Sequence, residues 1–183
     1  MSLSWLPNAV SIMRIVLVGP IIALLLRAEF GWALVLFLIA AVSDGIDGYL
    51  AKRFKWFSRL GAILDPAGDK LLVAGSFATL AYLSQIPIWL AVVVILRDVV
   101  IVAGSFLVNF LVRPLSGEPT RISKLNTALE LMFLLFVISR AGYAWPDKIT
   151  ITILGAAILV TVVISGSNYV ATWIDQAREG GSE

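Results

Sequence analysis

The chain has 183 residues, of which 60% are hydrophobic and 14% are charged, with a net charge of +2 and a mean hydropathy of +0.95. About 25% of the residues of a soluble domain are charged, so this composition is typical of an integral membrane protein. Neither cysteine nor histidine is present, which excludes disulfides, thiolate nucleophiles, histidine bases and the zinc sites that these residues form.

Six apolar stretches are long enough to cross a hydrocarbon core about 30 Å thick, which takes about 20 residues each. In chain order they cover residues 6–26, 30 to beyond 42, 60–83, 86–112, 122–139 and 149–173. The first continues into a full span without a basic leader, so it is not expected to be a cleaved signal peptide. The sequence therefore predicts an all-α membrane bundle of about six transmembrane helices, as one domain over residues 1–175 with a polar tail over residues 176–183.

The distribution of basic residues predicts the orientation of these spans. The two basic loops follow the second and fourth spans and contain Lys52, Arg53, Lys55 and Arg59, and Arg113 and Arg121 with Lys124 close by. Basic loops face the cytoplasm, so both termini are expected there. The loop after the fifth span, with Arg140 and Lys148 against Asp147, is a weak contrary signal. We expect a bacterial inner membrane or an equivalent organelle membrane.

Four aspartates lie where the second span ends and the third begins: Asp44, Asp47, Asp65 and Asp69. An ionised carboxylate in a membrane span costs about 2.5–3.5 kcal/mol, so such a cluster needs a compensating cation. Residues three or four apart share one face of a helix, so each pair forms a stripe, and the two stripes converge if the helices pack antiparallel. Gly48, Ala51 and Gly61 leave room for a ligand between them.

Hard carboxylate oxygens favour magnesium, manganese or calcium, and two such ions can clamp a diphosphate while a hydroxyl attacks in line. A plainer interpretation makes these aspartates ordinary interfacial residues. Asp44 and Asp47 would then pair with Lys52 or Arg53. Asp69 would pair with Lys70, and Asp65 would cap a helix before Pro66.

The pattern from Asp44 to Asp69 resembles the signature of the CDP-alcohol phosphatidyltransferase family, Asp-x2-Asp-Gly-x2-Ala-Arg-x8-Gly-x3-Asp-x3-Asp. It departs from that signature at one position, where Lys52 replaces the family's arginine and Arg53 follows. Because arginine offers a planar fork and lysine a point charge, the nucleotide contact at this position is open. The family's six spans also match, so the resemblance extends over nearly the whole chain.

The resemblance implies roles for these residues. Asp44, Asp47 and Asp65 would ligate two Mg²⁺ or Mn²⁺ ions, with Asp69 near the second ion and also acting as base on the acceptor hydroxyl. That hydroxyl would attack the lipid-side phosphorus of CDP-diacylglycerol and release CMP. The implied CDP-binding residues are Asn8, Gly48, Ala51, Lys52 and Gly61. The implied partners are CDP-diacylglycerol, a glycerol-type acceptor and a second copy in a homodimer, with no nucleic acid.

Two further groups resemble residues of the glycerolipid members of this family. Asn8, Ser11 and Arg14 open the first span, and Arg97 and Asp98 interrupt the fourth. The first group is equally well explained as a helix cap with an interfacial arginine, and the second as an intramembrane ion pair.

Residues 121–127 bear on the acceptor. Phosphatidylglycerophosphate synthases tend to have Gly-Lys-x-Lys-Thr here, whereas this chain has Ser-Lys-x-Asn-Thr, which is similar to CMP-forming cardiolipin synthases. Asn126 thus removes one positive charge, which suits a singly charged phosphodiester such as phosphatidylglycerol. Arg113 and Arg121 could still supply charge for glycerol 3-phosphate, and a basic interfacial helix start is the plain alternative. The predicted acceptor site comprises Arg97, Arg113, Arg121, Lys124, Asn126 and Thr127.

Functions of another class also place acidic residues inside a membrane. A small cation or proton-coupled transporter would explain the carboxylates, but not the Gly/Ala spacing or the neighbouring basic residues. A scaffold protein without chemistry would leave the acids unexplained.

Overall fold

The computed structural model describes the backbone of residues 6–54, 61–111 and 121–180, and the side chains of residues 12–43, 68–104 and 122–167. The described backbone forms six α-helices and contains no strand. In chain order the helices are α1 (Leu6–Leu26), α2 (Phe30–Phe54), α3 (Gly61–Tyr82), α4 (Ile88–Leu111), α5 (Arg121–Tyr143) and α6 (Lys148–Gly180). The prediction of an all-α chain with six long helices is confirmed.

Two helices extend further than the sequence predicted. Helix α5 ends at Tyr143 rather than near Ser139, and α6 continues to Gly180 rather than ending near Trp173. The end of an apolar stretch predicts where a span leaves the hydrocarbon. A helix can continue past that point as long as its residues favour the helical conformation. The residues after Trp173 include Gln, Ala, Arg and Glu, which are good helix formers, so the predicted tail begins inside α6. The domain boundary at residue 175 stays a prediction.

Short, well-defined turns join the helices at one end of the bundle. Ala28 and Ser84 adopt left-handed conformations with φ of 57° just after α1 and α3. After α1, the amides of Ala28 and Glu29 donate to the carbonyls of Leu25 and Leu24, which is the Schellman pattern of a helix end. Such turns reverse the chain in few residues and place consecutive helices side by side.

Helix α6 begins with an aspartate cap. The Oδ1 atom of Asp147 accepts hydrogen bonds from the hydroxyl and, at 3.0 Å, the backbone N–H of Thr150. These bonds favour the ionised carboxylate and hold the pKa of Asp147 below its usual value. The cap satisfies an amide that the first turn of a helix leaves unpaired.

The helices pack around one apolar core. Helix α3 contacts α1, α4 and α5, α2 contacts α1 and α5, and α6 contacts α4 and α5. The rings of Phe77 and Phe133 stack at 5.7 Å between α3 and α5. Helix α1 approaches α3 closely at Gly75, where a β carbon would lie 3.0 Å from Ile22 Cδ1. The core therefore reaches all six helices.

The two ends of the bundle differ in their side chains. The loops after α1, α3 and α5 lie at one end, which we call the aromatic end because five exposed aromatic side chains surround it: Trp32, Tyr82, Trp89, Tyr143 and Trp145. We call the opposite end the aspartate end, because the second half of α2 and the first half of α3 carry the four aspartates of the signature there.

Two stretches with described side chains are long and apolar enough to cross a membrane, namely Ile122–Tyr143 and Lys148–Ser167. Shorter apolar helical stretches cover Ile12–Leu26 and Phe30–Ser43. Many large apolar side chains are exposed on these helices, including Val16, Val163 and Ile153. The length and composition of α5 and α6 are therefore those of membrane spans.

Candidate active site

Asp69 is the one signature aspartate whose side chain the structure describes. Asp44 and Asp47 lie in α2 and Asp65 in α3, but their side chains are outside the described ones. The same holds for further predicted site residues within helices: Asn8, Gly48, Ala51, Lys52, Gly61 and Arg121. Arg113 lies outside the described residues. The convergence of the four carboxylates therefore stays a prediction.

Asp69 forms an ion pair with Arg14 of α1. The side chain of Asp69 is 33% exposed, while that of Arg14 is only 2% exposed. Arg14 is thus not the interfacial arginine of the plainer sequence interpretation, because its guanidinium is buried against a carboxylate. Helices α1 and α3 run parallel, and the two residues of the pair lie at the same height along them. About one to two turns further along both helices, Gly75 of α3 faces Val18 and Ile22 of α1.

Four helices meet at Asp69. A small cavity of about 20 Å³ is lined by Asp69 and Arg14 together with Ala40 of α2 and Thr127 of α5. The structure thereby brings the predicted base and one predicted acceptor residue to the same cavity. Asp44 follows Ala40 by one helical turn, so the backbone of α2 leads from this cavity directly into the signature.

A second polar cluster joins α3, α4, α5 and α6. Arg97 Nη1 donates to Asp98 Oδ1 at 2.7 Å, and Lys70 Nζ lies 2.6 Å from Asp98 Oδ2. Arg97 Nη2 donates to the hydroxyls of Ser165 and, at 3.1 Å, Ser123. The intramembrane ion pair considered for Arg97 and Asp98 is present. Lys70 forms its ion pair with Asp98, and Asp69 forms its ion pair with Arg14. Both Arg97 and Asp98 are buried, and the single carboxylate of Asp98 offsets part of the charge of Arg97 and Lys70 inside the bundle.

Asn126 is fully buried between α5 and α6. Its Nδ2 donates to Glu130 Oε1 at 2.5 Å, and its Oδ1 accepts from the hydroxyl of Thr161 at 2.7 Å. The neighbouring predicted acceptor residues differ in environment: Lys124 is exposed, whereas Thr127 is partly buried and donates to the Ser123 carbonyl at 3.3 Å. The amide of Asn126 is therefore oriented by hydrogen bonds on both sides.

Glu130 is a polar residue of this site that the sequence analysis missed. It is fully buried, and its Oε2 has no hydrogen-bond partner among the described residues. Two signals in the sequence could have identified it. It is the single acidic residue of α5, and it follows Asn126 by four residues, the spacing at which side chains meet on a helix. A buried acid in an apolar helix indicates a functional position.

Comparison with known proteins agrees with the signature. A family model described as CDP-alcohol phosphatidyltransferase matches residues 4–174. Cardiolipin synthase (CMP-forming) of Rattus norvegicus is 31% identical over 180 residues, covering 90% of this chain and 60% of the relative. CDP-diacylglycerol–glycerol-3-phosphate 3-phosphatidyltransferase of Pectobacterium atrosepticum is 31% identical over 166 residues, covering 87% of this chain and 88% of the relative. The chain spans about 60% of the length of the rat and human relatives.

Proposed function

Because the chain belongs to the CDP-alcohol phosphatidyltransferase family, we propose that it transfers a phosphatidyl group from CDP-diacylglycerol to a glycerol-type acceptor. The acceptor hydroxyl attacks the lipid-side phosphorus, and CMP leaves. The observation that carries this proposal is the position of Asp69, which lines one cavity with Thr127 while bound to Arg14. This transfer needs a base within reach of the acceptor hydroxyl. The carboxylate of Asp69 lies beside α5, the helix that carries several of the predicted acceptor residues.

The donor chemistry of the signature fits a pair of Mg²⁺ or Mn²⁺ ions. Asp44, Asp47, Asp65 and Asp69 offer hard oxygen ligands, and the described part of the chain contains no competing cluster of three acidic residues. When bound, the ions would neutralise charge on the diphosphate and lower the pKa of the acceptor hydroxyl. Asp69 would accept the proton of that hydroxyl, and Arg14 would hold its carboxylate in place. Asn8, Gly48, Ala51, Lys52 and Gly61 would hold the CDP group.

Phosphatidylglycerol is the acceptor that these residues favour. Asn126 places a neutral amide where a second lysine would attract a phosphate monoester, and the guanidinium of Arg97 is already bound to Asp98 and two serine hydroxyls. Arg113, Arg121 and Lys124 would remain to attract the single charge of a phosphodiester. The second candidate is glycerol 3-phosphate, because a glycerol-3-phosphate phosphatidyltransferase matches most of the chain at similar identity.

The membrane arrangement that we propose has six transmembrane helices with both termini in the cytoplasm. Two helices have the length and composition of spans, and exposed aromatic side chains at the aromatic end are typical of a membrane–water interface. The aspartate end would face the cytoplasm, since α2 and α4, the helices that precede the two basic stretches of the sequence, end there. A bacterial inner membrane or an equivalent organelle membrane, and a homodimer, complete the proposal.

An assay of the purified protein tests this function directly. Given CDP-diacylglycerol, Mg²⁺ and phosphatidylglycerol, the protein is expected to release CMP and form a new phospholipid, and chelation with EDTA is expected to stop both. Glycerol 3-phosphate replaces phosphatidylglycerol in a parallel reaction and identifies the second candidate. Cation flux into liposomes without CMP release would contradict the proposal and favour a transporter.

Asn126→Lys is expected to shift the acceptor preference toward glycerol 3-phosphate by about tenfold, the ratio that 1.4 kcal/mol of added attraction gives. The lysine ammonium would lie beside the buried carboxyl group of Glu130, so the expected shift is the attraction for the phosphate that remains after this contact. The ratio of the two kcat/KM values measures the shift. Asn126→Leu is the matched control because it adds no charge. An equal shift in both variants, or no shift in the lysine variant, would contradict the role of Asn126.

A further inference from the structure

A groove of about 500 Å³ opens at the aromatic end, opposite the candidate active site. It lies between α4, α5 and α6, and its inner wall is apolar, including Leu90, Phe133 and Leu159. Gly155 lies in its wall between Phe133 and Leu90, where a β carbon would contact both side chains. This volume is within the range of about 300–1,000 Å³ that small-molecule sites occupy.

The groove has the length of one lipid chain. Its lining residues on α6 extend from Lys148 to Leu159, which at 1.5 Å per residue corresponds to about 16 Å. Half of a hydrocarbon core about 30 Å thick is nearly the same length. Trp89 lines the mouth of the groove, and with the other exposed aromatic residues of this end it marks the level of the lipid headgroups. The groove thus runs from the headgroup level to the middle of the membrane.

The mouth of the groove is positively charged. Arg140 and Lys148 line it, and Arg140 is held there by a 2.7 Å hydrogen bond to the carbonyl of Pro146. The nearby acid among the described residues is Asp147, an ionised carboxylate that Thr150 orients, so two cations face one carboxylate and the mouth keeps a net positive charge. One phosphate would therefore meet two cations at the end of an apolar channel.

We propose that this groove binds an anionic phospholipid of the leaflet opposite the candidate active site. The phosphate would lie between Arg140 and Lys148, and one acyl chain would lie along α6 past Gly155. The proposal rests on the membrane arrangement proposed above but not on the catalytic function. It assigns to the aromatic end a lipid site separate from the substrate site at the aspartate end.

Native mass spectrometry of the detergent-purified protein tests this site. Phosphatidylglycerol and phosphatidylcholine with identical acyl chains are added separately, and the fraction of protein that retains lipid is measured. We expect phosphatidylglycerol to be retained preferentially, and because the candidate active site would also bind it, the loss of retention in groove variants is the measure of the groove itself. Lys148→Gln is expected to reduce its retention about fivefold, the effect of removing one basic residue at a lipid surface. Ala156→Phe, which places a ring in the groove from an exposed position, is expected to reduce the retention of both lipids.

Two variants outside the groove are the matched controls. Arg27→Gln removes an exposed cation at the same end, and Val163→Phe adds the same ring to the exposed face of α6. Both should retain phosphatidylglycerol as the unchanged protein does.

Lipid bound at the substrate site is common to all variants, so it cancels when the variants are compared. CMP release is measured separately and remains an independent test of catalysis. Retention unchanged in both groove variants, or equal retention of the two lipids, would overturn the proposal. A changed oligomeric state in the groove variants would show that a second copy occupies the groove instead.

Discussion

Asp69→Asn is expected to lower the rate of CMP release by about 10²–10⁴-fold, the factor that a positioned general base contributes. Asparagine has nearly the shape of aspartate but neither accepts the hydroxyl proton nor carries charge for a metal ion. The residues proposed to bind the CDP group are unchanged in this variant, so binding of CDP-diacylglycerol should still be measurable. Initial rates and an equilibrium binding assay on the same preparation measure the two quantities.

Loss of catalysis must be separated from loss of folding, because Arg14 is buried against Asp69. Removing one partner of a buried ion pair costs about 3–5 kcal/mol. The double variant Arg14→Gln, Asp69→Asn restores a neutral pair, so we expect it to regain thermal stability without regaining activity. Asp147→Asn removes an exposed carboxylate at the aromatic end and should leave turnover unchanged. Near-normal turnover in a folded Asp69→Asn protein would eliminate Asp69 as the base.

Arg97→Gln is expected to destabilise the protein by about 3 kcal/mol, the lower end of the range for breaking a buried ion pair, because Lys70 still binds Asp98. The variant also removes the donor that the hydroxyls of Ser123 and Ser165 share. Arg97→Lys keeps the charge but not the planar fork, so its stability should be intermediate. Thermal unfolding in detergent measures these effects, with the exposed Arg27→Gln as the control.

The same variants distinguish a structural Arg97 from one that binds the acceptor. If Arg97 holds the bundle together, the unfolding temperature falls while KM for the acceptor changes little in the protein that remains folded. A KM that rises at least tenfold in Arg97→Lys, with unchanged unfolding temperature, would instead assign Arg97 to the acceptor site and contradict the structural role.

The helices were largely predictable because hydropathy is a local property. Each of the six apolar stretches corresponds to a helix, with boundaries that agree closely for α1, α3 and α4. The ends of α5 and α6 were less predictable, since a helix continues through polar residues that favour it. The signature was equally visible in the sequence, because the spacing of aspartates and small residues along two helices is written directly in the chain.

The partners of the charged residues were not predictable in the same way. Arg14 and Asp69 are 55 residues apart, and Arg97 and Ser165 are 68 residues apart. In the sequence, Lys70 was the obvious partner for Asp69, yet it binds Asp98 across the bundle. The burial of Asn126 and Glu130 likewise depends on α6, which provides Thr161.

The sequence by itself determined the membrane-like composition, the six helices, the family and the residues available for chemistry, since each depends on residue type and short-range spacing. The tertiary structure decided which polar groups meet: Asp69 with Arg14 and Thr127 at one cavity, and Asn126 with Glu130 and Thr161 inside the bundle. It also formed the groove at the aromatic end from three helices. The physical reason is that a buried charge or amide must have a hydrogen-bonding partner. Helix packing provides that partner, and it brings together residues that are far apart in the chain.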